Sequence, residues 1–186
     1  SNLGNEAVTL TGTVSTSQAN NLAAATSGVV TATLSDGDLA TLAGLTETGN
    51  AYSITISDAS VAVSALNTLD GKTTVAINAS NITTLTGAAA DLNTAYTSGG
   101  ISNLGNEAVT LSDTTLAVSV LNILDGRTSG TINASSINTL TGAAADLNTA
   151  YTSAGISGLN NEAVTLNDTT LAVSVLNDLD GRTSGA

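Results

Sequence analysis

Residues 86–98 read Thr-Gly-Ala-Ala-Ala-Asp-Leu-Asn-Thr-Ala-Tyr-Thr-Ser, and residues 141–153 repeat them letter for letter. The same offset of 55 separates the Asp-Gly pairs that begin at Asp70, Asp125 and Asp180. A chain that copies itself at a fixed period is a stack of equivalent modules, each hiding its apolar face only against its neighbours. The repeat is therefore the unit from which the fold is read. It points to a function carried by shape and surface.

Working outward from that stretch, SNLGNEAVTL opens the chain at Ser1 and returns at Ser102, an offset of 101 rather than a multiple of 55. The first unit is thus a shortened one. The pattern divides into a short first repeat (1–53), a second (54–108), a third (109–163) and a partial fourth (164–186), expected to form one continuous solenoid. Ser1 matches the interior residue Ser102, and Arg182-Thr183-Ser184-Gly185 matches Arg127-Thr128-Ser129-Gly130. Neither end reads as a polar cap, so the expectation is a window of a longer array or a subunit that stacks end to end.

Short β-branched runs alternate in-out-in, the period-two mark of strands: Val8-Thr9-Leu10, Ala32-Thr33-Leu34, Ile54-Thr55-Ile56, Val75-Ala76-Ile77, Val109-Thr110-Leu111, Thr131-Ile132 and Val164-Thr165-Leu166. Their last apolar residues are spaced by 24, 22, 21, 34, 21 and 34, which fits one strand per coil. Between them the spacing turns helical, at Leu39, Leu42 and Leu45, at Val61, Ala65, Leu66 and Leu69, and at Leu116, Val120, Leu121 and Leu124. Ala88, Ala89, Leu92, Ala95 and Tyr96 suggest a further helix in the longer coils. Ser57-Asp58 and Ser112-Asp113 stand where caps for the helices that follow are expected, and the Asp-Gly pairs where a left-handed glycine ends a helix. Helical crossovers make successive strands parallel. The expected fold is an α/β repeat solenoid: a single parallel β-sheet, one short strand per coil, with helical segments on the other side. A parallel β-helix-like solenoid is the alternative. In register, Thr9, Thr33, Thr55, Ala76, Thr110, Thr131 and Thr165 would form an outward column, and Ser35, Ser57, Asn78, Ser112, Asn133 and Asn167 a second.

Composition narrows the chemistry. The 186 residues contain no His, Cys, Pro, Met, Trp or Phe, and only three Tyr, so the core must be thin and built from Val, Ile, Leu and Ala. Without His or Cys there are no Ser-His or Cys-His nucleophile systems, no thiolate or imidazole metal sites and no disulfides. Three basic residues against a net charge of −12 leave nothing to neutralise phosphates or anionic lipid, so neither nucleic acid nor a membrane face is an expected partner. No apolar run approaches the ~18 residues of a membrane span.

Paired carboxylates could do acid–base work, but the acids recur at equivalent positions (Glu6, Glu107, Glu162; Asp58, Asp113, Asp168), whereas a catalytic pair is built once. The chain is therefore not expected to be an enzyme. Calcium is the alternative use of these acids, with Asp36, Asp58, Asp113 and Asp168 as candidate ligands because they share one turn. Neither an EF-hand loop nor a Gly-Gly-x-Gly-x-Asp nonapeptide is present, and helix capping and solvated turns are the simpler reading. No other cofactor is expected. Ice binding would want two outward Thr per strand, and this chain offers one. Lys72, Arg127 and Arg182 recur just after the Asp-Gly turn, most simply as local partners of an acid.

The Asp-Gly-x-Thr-[Ser/Thr] turn and TGAAADLNTAY, within units covering essentially the whole chain, resemble the repeats of very large secreted or cell-surface proteins of marine cyanobacteria and other Gram-negative bacteria, including giant adhesin-like proteins. The resemblance implies an extracellular, structural or adhesive role, often with calcium bound by nonapeptide modules that this chain lacks. The leading expectation is a non-catalytic structural array of the cell surface, or a fibre, whose partners are copies of itself or adjacent repeats. The alternative is an adhesive module for glycan, calcium or a surface partner. A glycan face would want exposed aromatics, and only Tyr52, Tyr96 and Tyr151 exist.

Overall fold

The computed structural model describes residues 3–185. The chain divides into two compact units, one taking in the chain up to Thr83 together with Thr94–Leu104, the other Thr84–Asn93 and the chain from Gly105 onward. Both are α/β, and every strand pairing described is parallel.

In the first unit β1 (Val8–Val14), α1 (Thr16–Ala23), β2 (Val30–Leu34), α2 (Leu39–Leu42), β3 (Ala51–Ser53), β4 (Ser60–Ala62), α3 (Val63–Asp70) and β5 (Ile77–Asn78) follow one another. The second unit opens with β6 (Thr84–Gly87), and α4 (Ala89–Thr97) begins there and ends in the first unit, followed by β7 (Ile101–Ser102). The remainder of the second unit runs β8 (Ala108–Leu111), β9 (Thr115–Ala117), α5 (Val118–Asp125), β10 (Ile132–Asn133), β11 (Thr139–Gly142), α6 (Ala144–Thr152), β12 (Ile156–Ser157), β13 (Ala163–Leu166) and α7 (Val173–Asp180).

The first unit holds a β1-β2-β3 sheet and a β5-β7 pair. In the second, β12, β10, β8 and β6 lie side by side, and β13-β11-β9 form a separate sheet. The single sheet expected from the sequence is thus several small ones. The reason lies in polar side chains that end the strands early. The Asn78 and Asn133 side-chain carbonyls accept from the amides of Ser80 and Ser135, each at 3.1 Å, and such a turn stops β5 and β10 after two residues.

Partners in every ladder lie 20 to 24 residues apart in the chain, as in Thr33 with Ser53 and Ile77 with Ile101. The apparent 34-residue coils are corrected by β7 and β12, short strands that the period-two pattern does not reveal. Within the second unit Val109 pairs with Ile132 and Ile132 with Ile156, and Val164 follows eight residues later to begin the next copy. Two spacings of about 24 and this short sidestep make up the period of 55. The sidestep gives β8 two roles, since Val109 lies opposite Leu85 on one side and Ile132 on the other.

Ile54-Thr55-Ile56 is not a strand: β3 precedes it, and Thr55 makes only an isolated bridge to Asn78. The seven outward residues are all exposed, as alternation requires, but they do not form one column. Thr9 lies opposite Thr31 and Thr13 opposite Thr33, with the register shifting between them around Gly12, whose φ of +83° favours glycine. Thr110 faces Asn133, and Thr165 faces Thr141.

The cores are made from the inward positions. In the first unit Val30, Ala32 and Leu34 alternate with exposed Thr31 and Thr33 and join Leu42, Ile56, Leu66 and Ile77. In the second, Leu121 and Leu124 of α5 and Leu147 and Ala150 of α6 are buried with Val109, Ile132 and Leu140; α5 packs on α6 and α6 on α7. Val61 and Leu116 are buried as expected, but from strands β4 and β9 that run directly into the helices. The glycines after α3, α5 and α7 are right-handed, with φ of −70°, −76° and −73°. The helix tightens there instead, because the amides of Lys72, Arg127 and Arg182 return to Leu69, Leu124 and Leu179, three residues back.

Candidate functional site

The four candidate carboxylates occupy equivalent places, and each is already in use. The Thr16 amide donates to Asp36 at 2.6 Å, Leu39 to Asp58 at 2.7 Å, Ala89 to Asp113 at 2.8 Å and Ala144 to Asp168 at 2.8 Å. Each donor is the first residue of a helix, α1, α2, α4 or α6, so each carboxylate caps a helix that begins 19 to 24 residues before it. The first-turn amides of a helix lack internal partners and favour negative charge, which is the chemistry supplied here. Asp58 and Asp113 therefore do not cap the helices that follow them. α3 and α5 start after Ala62 and Ala117 with no side-chain cap, and α7 does so after Ala172. The structure distributes the four acids one to a helix. Among the described residues no three acidic side chains gather where one metal ion could be held.

A second repeated device begins at Thr26-Ser27-Gly28, Thr128-Ser129-Gly130 and Thr183-Ser184-Gly185. The hydroxyls of Thr26, Thr128 and Thr183 donate to the carbonyls of Glu6, Glu107 and Glu162 at 2.6, 2.7 and 2.7 Å, and accept from the amides of Gly28, Gly130 and Gly185. The intervening Ser27, Ser129 and Ser184 amides donate to Gly4, Gly105 and Asn160, each at 2.8 Å. Thr73-Thr74-Val75 repeats the pattern on Tyr52 and Asn50. Glycine is required at Gly130 because a Cβ there would stand 2.2 Å from the Glu107 carbonyl oxygen.

Asp70 and Asp125 take part in a third. The Ser98 hydroxyl donates to Asp70 at 2.6 Å and accepts from the Gly100 amide; Ser153, Asp125 and Gly155 repeat this. The sequence signalled these threonines and serines only as recurring letters, since nothing in one copy says that the hydroxyl bonds to a neighbouring one.

Glu107 and Glu162 are fully buried, although the recurrence of Glu6, which is exposed, gives no hint of it. Glu162 accepts from the Asn160 amide at 2.8 Å and from the Tyr151 hydroxyl at 3.2 Å. Burial first, and then the Glu162 charge, push Tyr151 up to about 12. Glu107 accepts from the amides of Gly105 and Asn106. The Lys72 ammonium donates to the Thr46 carbonyl at 3.2 Å. Tyr52 is 1% exposed, and Tyr96 and Tyr151 are half-buried.

Compared with family models, curated proteins and solved structures, the chain matches none. Among the described residues no helix is long and apolar enough to cross a membrane.

Proposed function

We propose that this chain is a non-catalytic structural repeat array, an α/β solenoid that forms part of a giant cell-surface protein or of an extracellular fibre extended by end-to-end stacking. The observation that carries the reading is the Thr-[Ser/Thr] stitch, made four times to a segment 20 to 24 residues earlier. Parallel ladders whose partners lie 20 to 24 residues apart are what successive coils of a superhelix produce. The repeated acids serve as caps and stitches, which suits a scaffold. The outward strand positions are small, Thr at all but Ala76, and Tyr52 is buried while Tyr96 and Tyr151 are half-buried, which leaves little ring surface to offer a sugar.

Location is tested by immunostaining producer cells with antibody to the TGAAADLNTAYTS peptide. Intact and permeabilised cells should stain alike. Staining only after permeabilisation would contradict the reading.

A further inference from the structure

Within the first unit, α2 packs on α3 and leaves a hollow beside it. α2 and α6 are equivalent helices, capped by the same repeated aspartate, Asp58 for one and Asp168 for the other. Yet α2 has four residues and α6 has nine. The side chains are smaller too: Ala43 stands where α4 and α6 carry Asn93 and Asn148, and Ala65 where α5 and α7 carry Val120 and Val175. The short helix and the two alanines account for a hollow of about 250 Å³. Leu42 and Leu69 line it from buried positions, and Leu39, Ala43 and Ala65 from more open ones. Thr68 also lines it, but its hydroxyl is committed to the Ser64 carbonyl at 2.8 Å. Lys72 is the one charged residue among the described residues lining the hollow, and it is half-buried. Its ammonium rests on a neutral group, donating to the Thr46 carbonyl at 3.2 Å.

We propose that this hollow binds a small carboxylate with an apolar tail or ring, the apolar part against Leu42 and Leu69 and the carboxylate on the Lys72 ammonium. Apolar walls and one cation are the two features such a ligand matches. An ammonium beside an apolar wall gains more from a carboxylate than from a carbonyl, because full opposite charges attract where water is partly excluded. Size sets the rest of the ligand. A cavity of about 150 Å³ accepts benzene, so this hollow suits an apolar group of about five to eight carbons. A neutral ligand of the same shape would keep the apolar contacts and lose the charge pairing. A cationic one would meet Lys72 as a like charge.

The site does not depend on the array reading, so either can fail alone. The full chain, isotope-labelled for amide spectra, is titrated with hexanoate and separately with hexanol. Hexanoate should shift the amides of Ala43, Ala65, Thr68 and Lys72 along a saturable curve, and hexanol should bind about tenfold more weakly. Lys72→Met keeps the apolar stem and removes the charge, so it should bring hexanoate down to the level of hexanol. Ala65→Leu fills the hollow and should abolish the binding of both, with its melt recording that the fold persists. Should Ala65→Leu not fold, Lys72→Met, at a half-buried position, still decides the matter. Equal affinity of the wild type and Lys72→Met for hexanoate would overturn the anion assignment. Saturable shifts centred on other amides, or none below the concentration at which hexanoate self-associates, would overturn the site.

Discussion

Asp113 shows how a single residue works in this chain. Its carboxylate accepts from the Ala89 amide at the start of α4, 24 residues earlier, and so joins two segments with one charge-assisted bond. Removing a helix N-cap costs about 0.5–2 kcal/mol. Asp113→Ala should therefore lower the unfolding free energy in urea by about 1 kcal/mol and speed hydrogen exchange at the Ala89 amide, with Asp113→Asn intermediate. An unchanged Ala89 amide would remove the cap assignment. The sequence marked Asp113 as a capping residue but for the wrong helix. A local rule looks three residues ahead, whereas the donor here lies a full strand spacing behind. The burial of Glu107 and Glu162 was similarly hidden, because Glu6 occupies the matching place in exposed form.

At the scale of the element, α5 and α7 form an experiment that the repeat has already set up. Their sequences, VSVLNILD and VSVLNDLD, differ at one position, yet Leu121 is fully buried and Leu176 half exposed. The difference comes from α6, which lies against Leu121's helix on the side that α7 leaves open. Leu121→Ala should cost about 2–5 kcal/mol, as a buried leucine truncation does, while Leu176→Ala in the monomer should cost less than about 1 kcal/mol. Equal costs in urea denaturation would show that the neighbour contributes nothing. Helices with threes-and-fours spacing, α3, α5 and the Ala-Asp-Leu-Asn segments α4 and α6, were legible from sequence, as were β1, β2, β8 and β13. Of the two-residue strands, β5 and β10 were read one or two residues early, at Val75-Ala76-Ile77 and Thr131-Ile132, and end at the side-chain turns of Asn78 and Asn133, whereas β7 and β12 left no signal because alternation needs more than two residues to register. Register was lost for a related reason. Gly12 shifts β1 by two residues, which keeps the same face outward and so leaves no trace in the pattern.

For the whole chain, the period of 55 announced equivalent modules, and the stitches at Thr73, Thr128 and Thr183 each tie one to the module before it, while Thr26 makes the same stitch within the shortened first. Every one of these bonds reaches from one segment to another, so a module cut loose loses both its stitches and the cover of its apolar face. The direct test is calorimetry of proteins carrying one, two, three and four 55-residue periods. A single period should show no cooperative melt, and the midpoint should appear and climb as periods are added, each addition contributing an interface as well as a module. A lone period that melts cooperatively at the temperature of the longest array would contradict the account.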